Sequence, residues 1–273
     1  MLAVPASVDE VERADLLERH PALVSDLWDL GTTGVVEEPP SGRSNRPMLV
    51  AGFDSRITAE EAVLLGRRHG VDGSVHPVDT SWHTDEVTDI TVKTLGGSVS
   101  FPVIAGPSFG HGSHPTTSLT LDLMSGVLAQ TERFGRLLDL GTGSGVLSIA
   151  ASIMGAESIT AIDIDPNAIE AAKANFAAND VDAHCSTTSI SELALRGSLF
   201  DVVVANLLVT THEDVASMVI HTLAPHGCLI VSGFLGHQQT RVRRAYNAHR
   251  PSLQERDWLG SGDWRAAVLA DTV

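Results

Sequence analysis

Over 273 residues the chain carries 18 Lys plus Arg against 34 Asp plus Glu, a formal charge of −16, which excludes a general nucleic-acid surface and suits a globular protein that meets a basic partner. Its length allows one large domain or two smaller ones, and Cys185 and Cys228 are too few and too far apart for a zinc cluster or a disulfide framework. No apolar stretch is long enough to span a bilayer and no basic segment precedes an apolar one near the start, so a cytoplasmic protein with no membrane contact is expected.

Residues 1–6 have strand character, and residues 7–28 carry Val8, Val11, Leu16, Leu23, Val24 and Leu27 at helical spacing, interrupted at His20-Pro21. Residues 34–38 and 47–53 read as strands on either side of a Pro39-Pro40-Ser41-Gly42 turn. Thr58 and Glu61 have the spacing of a capping box for a helix reaching about His69, and residues 73–78 supply a last strand. The order βαββαβ predicts a small ferredoxin-like α+β domain over residues 1–78, a common platform for binding macromolecules. Residues 79–107 read as a linker, with short strands at 90–92 and 99–104, that packs onto the domain after it.

Within residues 108–273 the alternation is regular: helix 116–129, strand 136–140, helix 144–154, strand 158–162, helix 166–178 and a short strand at 183–186. Strand 200–205, helix 212–223, strand 228–233, helix 237–248 and strands 253–258 and 263–269 complete it. Strands alternating with helices predict an α/β domain whose sheet is mostly parallel, Rossmann-like and covered on both faces.

The chemistry concentrates at residues 137–147, Leu-Leu-Asp-Leu-Gly-Thr-Gly-Ser-Gly-Val-Leu, where an apolar strand runs through three glycines into a helix. A second strand ends on Asp163, at the distance that sets a carboxylate beside a ribose in a βαβ unit. In a dinucleotide fingerprint the third glycine follows two intervening residues, so that the pyrophosphate reaches the helix N-terminus. Here Gly141, Gly143 and Gly145 alternate, and no lysine follows as a P-loop requires. The loop therefore suits a phosphate-free nucleoside such as S-adenosylmethionine (SAM), with Gly141 and Gly143 close to it and Asp163 on the ribose diol; the alternative is a tight βα turn with no ligand.

Asp139 ends an apolar strand, where a carboxylate is costly unless paired; it either braces the loop through backbone N–H groups or faces the ligand's ammonium. Asp165, just before Pro166, is placed to cap the next helix. Asn206 follows a buried-strand run and belongs at the carboxyl edge of the sheet, where its amide can orient an amine nucleophile or simply end the strand. The stretch Ser108-Phe109-Gly110-His111-Gly112-Ser113-His114-Pro115-Thr116-Thr117 builds an irregular loop of the kind that closes over ligands. His111 and His114 have metal-like spacing but no carboxylate or cysteine cluster beside them, so no metal is expected. Trp82, Trp258 and Trp264 are expected in packing roles.

At these residues the chain resembles the bacterial ribosomal-protein L-eleven methyltransferase family, PrmA. Its loop Phe-Gly-Thr-Gly-Thr-His-Pro-Thr-Thr is matched by residues 109–117, with His111 and Ser113 in place of two threonines. The resemblance continues at the glycine loop, at Ile-Asp-Ile-Asp-Pro (residues 162–166), at Val-Val-Ala-Asn-Leu-Leu (residues 203–208) and in a final strand with Trp264, and it extends in pattern to the N-terminal unit. It implies a seven-stranded class I SAM-dependent methyltransferase sheet, with cofactor contacts on Thr117, Gly141, Asp163 and Asn206, joined by Asp139 and Gly143. It also implies an enzyme that methylates lysine or α-amino nitrogens of a basic, large-subunit ribosomal protein; no direct nucleic-acid contact is expected, and the oligomeric state stays open with a monomer favoured. The alternative is a related methyltransferase acting on another protein or a small molecule; a SAM-binding protein without catalysis and a nicotinamide oxidoreductase are more distant readings.

Overall fold

The computed structural model describes residues 2–5, 20–30, 32, 34–38, 48–52, 56–75, 87–104, 114–131 and 134–271. The chain divides into two compact units, Met1–Thr80 and Ser81–Val273.

The first unit follows the order β1 (Leu2–Pro5), α1 (Pro21–Asp29), β2 (Gly34–Glu38), β3 (Met48–Gly52), α2 (Arg56–Arg68) and β4 (Ser74–Val75). Its strands form one antiparallel sheet ordered β2-β3-β1-β4, the ferredoxin-like arrangement read from the sequence. Pro21 opens α1, where its fixed φ is already helical and its missing N–H is no loss. Leu23 and Leu27, one turn apart on α1, pack with Ala51, Ala62 and Val71 into a small core. Because α2 starts at Arg56, Thr58 lies inside its first turn and not at the predicted cap. A second cap-type residue, Ser55, stands immediately ahead of that start in the sequence. The predicted helical stretch over residues 7–19 lies outside the described residues.

The second unit opens with a hairpin of β5 (Val87–Thr94) and β6 (Gly97–Ile104), paired from Val87↔Ile104 to Thr94↔Gly97. Then follow α3 (Pro115–Thr131), β7 (Arg136–Leu140), α4 (Val146–Ile153), β8 (Ser158–Ile162), α5 (Pro166–Ala178), β9 (His184–Ser186), α6 (Ile190–Leu195) and β10 (Phe200–Asn206). The chain continues through α7 (Val209–Thr222), β11 (Leu223–Leu235), a short 3-10 turn, α8 (Gln239–Asn247), β12 (Leu253–Ser261) and β13 (Trp264–Asp271).

Seven of these strands form one sheet ordered β12-β13-β11-β10-β7-β8-β9, in which every neighbouring pair is parallel except the two made by β13. Strand alternation divides the core in two. Leu137, Val202, Val204 and Ile230 pack on one face with α3, α4 and the hairpin, and Leu138, Leu140, Val203, Ala205 and Leu229 pack on the other with α7 and α8. Helix α4 is buried from Val146 to Ala151 without a polar side, as expected of the helix that follows the first strand of a doubly wound sheet.

Three elements differ from the sequence reading. Helix α7 starts at Val209, and β11 runs the full length Leu223–Leu235. Helix α6 is absent from that reading, although Ser189 and Glu192 have the capping-box spacing and the Ser189 hydroxyl accepts the Glu192 N–H at 3.2 Å.

Candidate functional site

The chain passes from β7 directly to β8 on one side and crosses back to β10 on the other, so the strand order reverses at β7. Open α/β sheets bind ligands beyond the carboxyl ends of the strands at such a point. The glycine loop leaves β7 here, Asp163 follows β8, and Asn206 ends β10. Thr117 lies in the first turn of α3, and the Ser232 hydroxyl is 3.3 Å from the Thr116 carbonyl, which brings that turn beside Asn206, the register partner of Ser232.

The loop spends its own donors. Gly141 and Thr142 give their N–H groups to the Ile162 carbonyl at 2.8 and 3.0 Å, Gly143 gives its N–H to Asp163 Oδ2 at 3.0 Å, and Gly145 gives its N–H to the Thr142 carbonyl at 2.9 Å. A phosphate cradle needs such N–H groups free and aimed at the anion, so this loop is built for a different ligand. Gly145 sits at φ +84°, where a Cβ would stand 2.6 Å from the Phe176 ring, so glycine here lets α4 approach α5. Asn175 of α5 fastens the loop to the hairpin: its amide donates to the Ser144 carbonyl at 2.9 Å and exchanges hydrogen bonds with the backbone of Ile104.

Asp139 is fully buried on the β7 face toward α4. Its Oδ2 accepts the hydroxyls of Thr142 at 2.8 Å and Ser148 at 2.7 Å, which join the expected backbone interaction, made by Ser148. Burial raises its carboxyl to about 6, against the opposing effect of those two hydrogen bonds. Its Oδ1 has no partner.

Among the described residues four buried side-chain atoms lack a hydrogen-bond partner: Asp139 Oδ1, Thr117 Oγ1, Asn206 Oδ1 and Asn247 Oδ1. The first three belong to residues singled out from the sequence, and the last to the end of α8. Loop N–H groups already in use beside unpartnered carboxylate, amide and hydroxyl oxygens suit a ligand carrying ammonium, N–H and hydroxyl groups. SAM has that chemistry, and these residues fit it.

Asp163 holds the loop through Oδ2 and the Asp165 N–H, at 3.0 Å, through Oδ1. Asp165 caps α5, accepting the Asn167 N–H at 2.8 Å with Pro166 behind it. His114 Nδ1 is 2.7 Å from the Thr116 hydroxyl, and its ring meets Trp264 edge-on at 4.8 Å; burial lowers its pKa to about 4. Trp258 is half exposed beneath the Arg265 guanidinium, 6.0 Å from its ring centre, and so is not a core residue. His111, Ser113 and Trp82 lie outside the described residues. Among those described, no group of His, Cys, Asp and Glu could hold a metal, and no helix is long and apolar enough to cross a membrane.

One residue of this region escaped the sequence reading. His212 is fully buried in the first turn of α7, with Nδ1 2.8 Å from the Tyr246 hydroxyl and Nε2 2.9 Å from the Ser232 carbonyl. No motif marks it, because its partners are distant in sequence; the one available signal is a histidine six positions after Asn206.

Residues 87–271 match the family described as ribosomal protein L11 methyltransferase (PrmA). A ribosomal protein L11 methyltransferase of Trichlorobacter lovleyi is 39% identical over 166 residues, covering 59% of this chain and 52% of its own length. One from Pseudomonas aeruginosa is 36% identical over 184 residues, covering 66% of this chain and 58% of its own length. Among solved structures, the ribosomal protein L11 methylase of Lactobacillus delbrueckii subsp. bulgaricus is 30% identical, with a TM-score of 0.55 over 63% of this chain and 84% of that one. The chain spans about half the length of the first of these relatives, and the family match leaves residues 1–86 outside it. Since that match runs from the β5–β6 hairpin to the final strand, well over half of the chain, the protein belongs to the ribosomal protein L11 methyltransferase (PrmA) family.

Proposed function

We propose that the protein is a SAM-dependent methyltransferase that modifies lysine or α-amino nitrogens of a ribosomal protein. The observation that carries the reading is the set of unpartnered buried acceptors, Asp139 Oδ1, Thr117 Oγ1 and Asn206 Oδ1, around a loop whose N–H groups are already used. The names of the family and its relatives supply the substrate class.

When bound, SAM supplies a methyl group on a cationic sulfonium. Asp139 offers Oδ1 to its ammonium, the outer lone pairs of Asp163 take the ribose hydroxyls, and Gly141 and Gly143 let the backbone pass close by. Asn206 gives the incoming amine a neutral acceptor, which orients its lone pair without charging the site; holding the reacting atoms in line is worth several kcal/mol of the barrier. A lysine that sheds water on entering the site loses its proton more readily, because burial disfavours the ammonium form, so no dedicated base is assigned. The acidic chain attracts a basic ribosomal protein and speeds its association, with salt weakening the effect.

The unit over residues 1–78 serves substrate recognition in this reading, residues 79–107 lead into the transferase domain at 108–273, and the protein acts in the cytoplasm, where ribosomal proteins are found. A second reading, transfer to another protein or a small molecule, draws on one observation: the family match begins only at residue 87. Calorimetric titration with SAM and with NADH, followed by mass spectrometry of the ribosomal protein after incubation with enzyme and SAM, tests the proposal. SAM binding with methyl groups on lysine or the N-terminus supports it, and preferential NADH binding overturns it.

A further inference from the structure

We propose that His212, held by Tyr246, is a positioning residue for methyl transfer: it fixes the Asn206-Leu207-Leu208 turn and, through Ser232, the first turn of α3. The proposal rests on the reading of this site as a SAM-dependent transferase.

Both side chains are fully buried, and Tyr246 is the chain's one tyrosine. The Tyr246 hydroxyl donates to Nδ1 at 2.8 Å, which leaves the ring proton on Nε2, and Nε2 donates to the Ser232 carbonyl at 2.9 Å. That same carbonyl accepts the Leu207 N–H at 3.0 Å. The imidazole therefore fixes the atom on which the turn after Asn206 hangs, and the Leu207 backbone also faces the ring. Burial keeps the ring neutral by lowering its pKa to about 4, so the pattern of one donor and one acceptor persists at neutral pH.

Two further contacts make the arrangement specific to the site. The Ser232 hydroxyl lies 3.3 Å from the Thr116 carbonyl, beside Thr117, and 3.3 Å from the Arg265 carbonyl, and shares its one proton between them. Gly233, at φ +92°, has no room for a Cβ, which would collide with the Leu207 carbonyl oxygen, so β11 and the turn are in backbone contact. Leu208 is the N-cap residue of helix α7 and offers no side-chain cap, and the His212 N–H bonds to the Leu208 carbonyl at 3.0 Å. A residue that only filled space would need neither the hydroxyl nor the carbonyl. His212 thus joins two of the three unpartnered acceptors, Asn206 and Thr117, through one serine.

The test uses the full chain with His212→Leu, His212→Gln and Tyr246→Phe. Glutamine restores a donor at the Nε2 position and leucine does not. His212→Leu is expected to lower kcat at least about tenfold and to speed hydrogen exchange at the Leu207 amide by a similar factor, as for a buried hydrogen bond lost. SAM affinity should change less than kcat, His212→Gln should recover most of both losses, and Tyr246→Phe should show a smaller loss in both. Should His212→Leu fail to fold, the Gln and Phe variants carry the comparison. Unchanged kcat and Leu207 exchange, or losses in kcat that only track the unfolding temperature and are not recovered by glutamine, overturn the proposal. If the wild type transfers no methyl group, the transferase reading fails by itself, and Leu207 exchange still decides whether His212 holds the turn.

Discussion

Gly143 donates its N–H to the Asp163 carboxylate at 3.0 Å, so the residue assigned to the cofactor's ribose also fixes the glycine loop. The other carboxylate oxygen takes the Asp165 N–H at 3.0 Å, and each oxygen keeps a lone pair for a ligand. Asp163→Ala is expected to weaken SAM binding at least about tenfold in calorimetry, through both loop and ribose, while Asp163→Asn retains one acceptor and loses less. Equal affinities in all three proteins would remove the assigned site.

Gly145 meets two constraints at once, a left-handed backbone and a Phe176 ring only 2.6 Å from where a Cβ would stand. Gly145→Ala should cost about 2 kcal/mol or more of folding stability in urea denaturation. Adding Phe176→Leu should return the part due to the ring, so the double variant is expected to be more stable than the sum of the single effects. Simple additivity would show that the backbone conformation alone sets the cost.

Burial moves the Asp139 carboxyl from 3.8 to about 6. Between those values the folded chain holds a proton that the unfolded chain has released, so stability without ligand falls as pH rises through that interval and levels off above it. Asp139→Asn should abolish this decline in thermal unfolding followed against pH. A cation beside Oδ1 favours the ionised form, so SAM affinity of the wild type should rise from about pH 5 to about pH 7, and the Asn variant should lack that rise. A flat profile in the wild type would place the ammonium elsewhere.

Removal of residues 1–80, the first compact unit, is expected to leave SAM binding in place and to abolish transfer to a ribosomal protein. Retained transfer to the protein would assign recognition to the second unit.

The framework was legible because strand alternation and helix periodicity agree with local turn chemistry: β7, β8 and α5 fall where the Leu-Leu-Asp-Leu run, the Ile-Thr-Ala-Ile run and the Asp165-Pro166 cap place them. Asp139 and Asn206 stood out as candidates because strand ends mark the ligand edge of such a sheet, and Thr117 only through the family resemblance. What stayed hidden depends on contacts distant in sequence. Asn175 bridges Ile104 and Ser144, and His212 meets Tyr246, and nothing in either neighbourhood announces the partner. The Asp139 brace goes beyond its sequence reading, because hydroxyls of Thr142 and Ser148 reach it beside the Ser148 backbone.

Methyl transfer to a ribosomal protein is tested by incubating the enzyme and labelled SAM with purified large-subunit ribosomal proteins and locating the labelled protein and nitrogen by mass spectrometry. Label is expected on lysine or α-amino nitrogens of the L11 protein, reduced with Asp163→Ala. No label on any ribosomal protein, in a preparation that binds SAM, would contradict it.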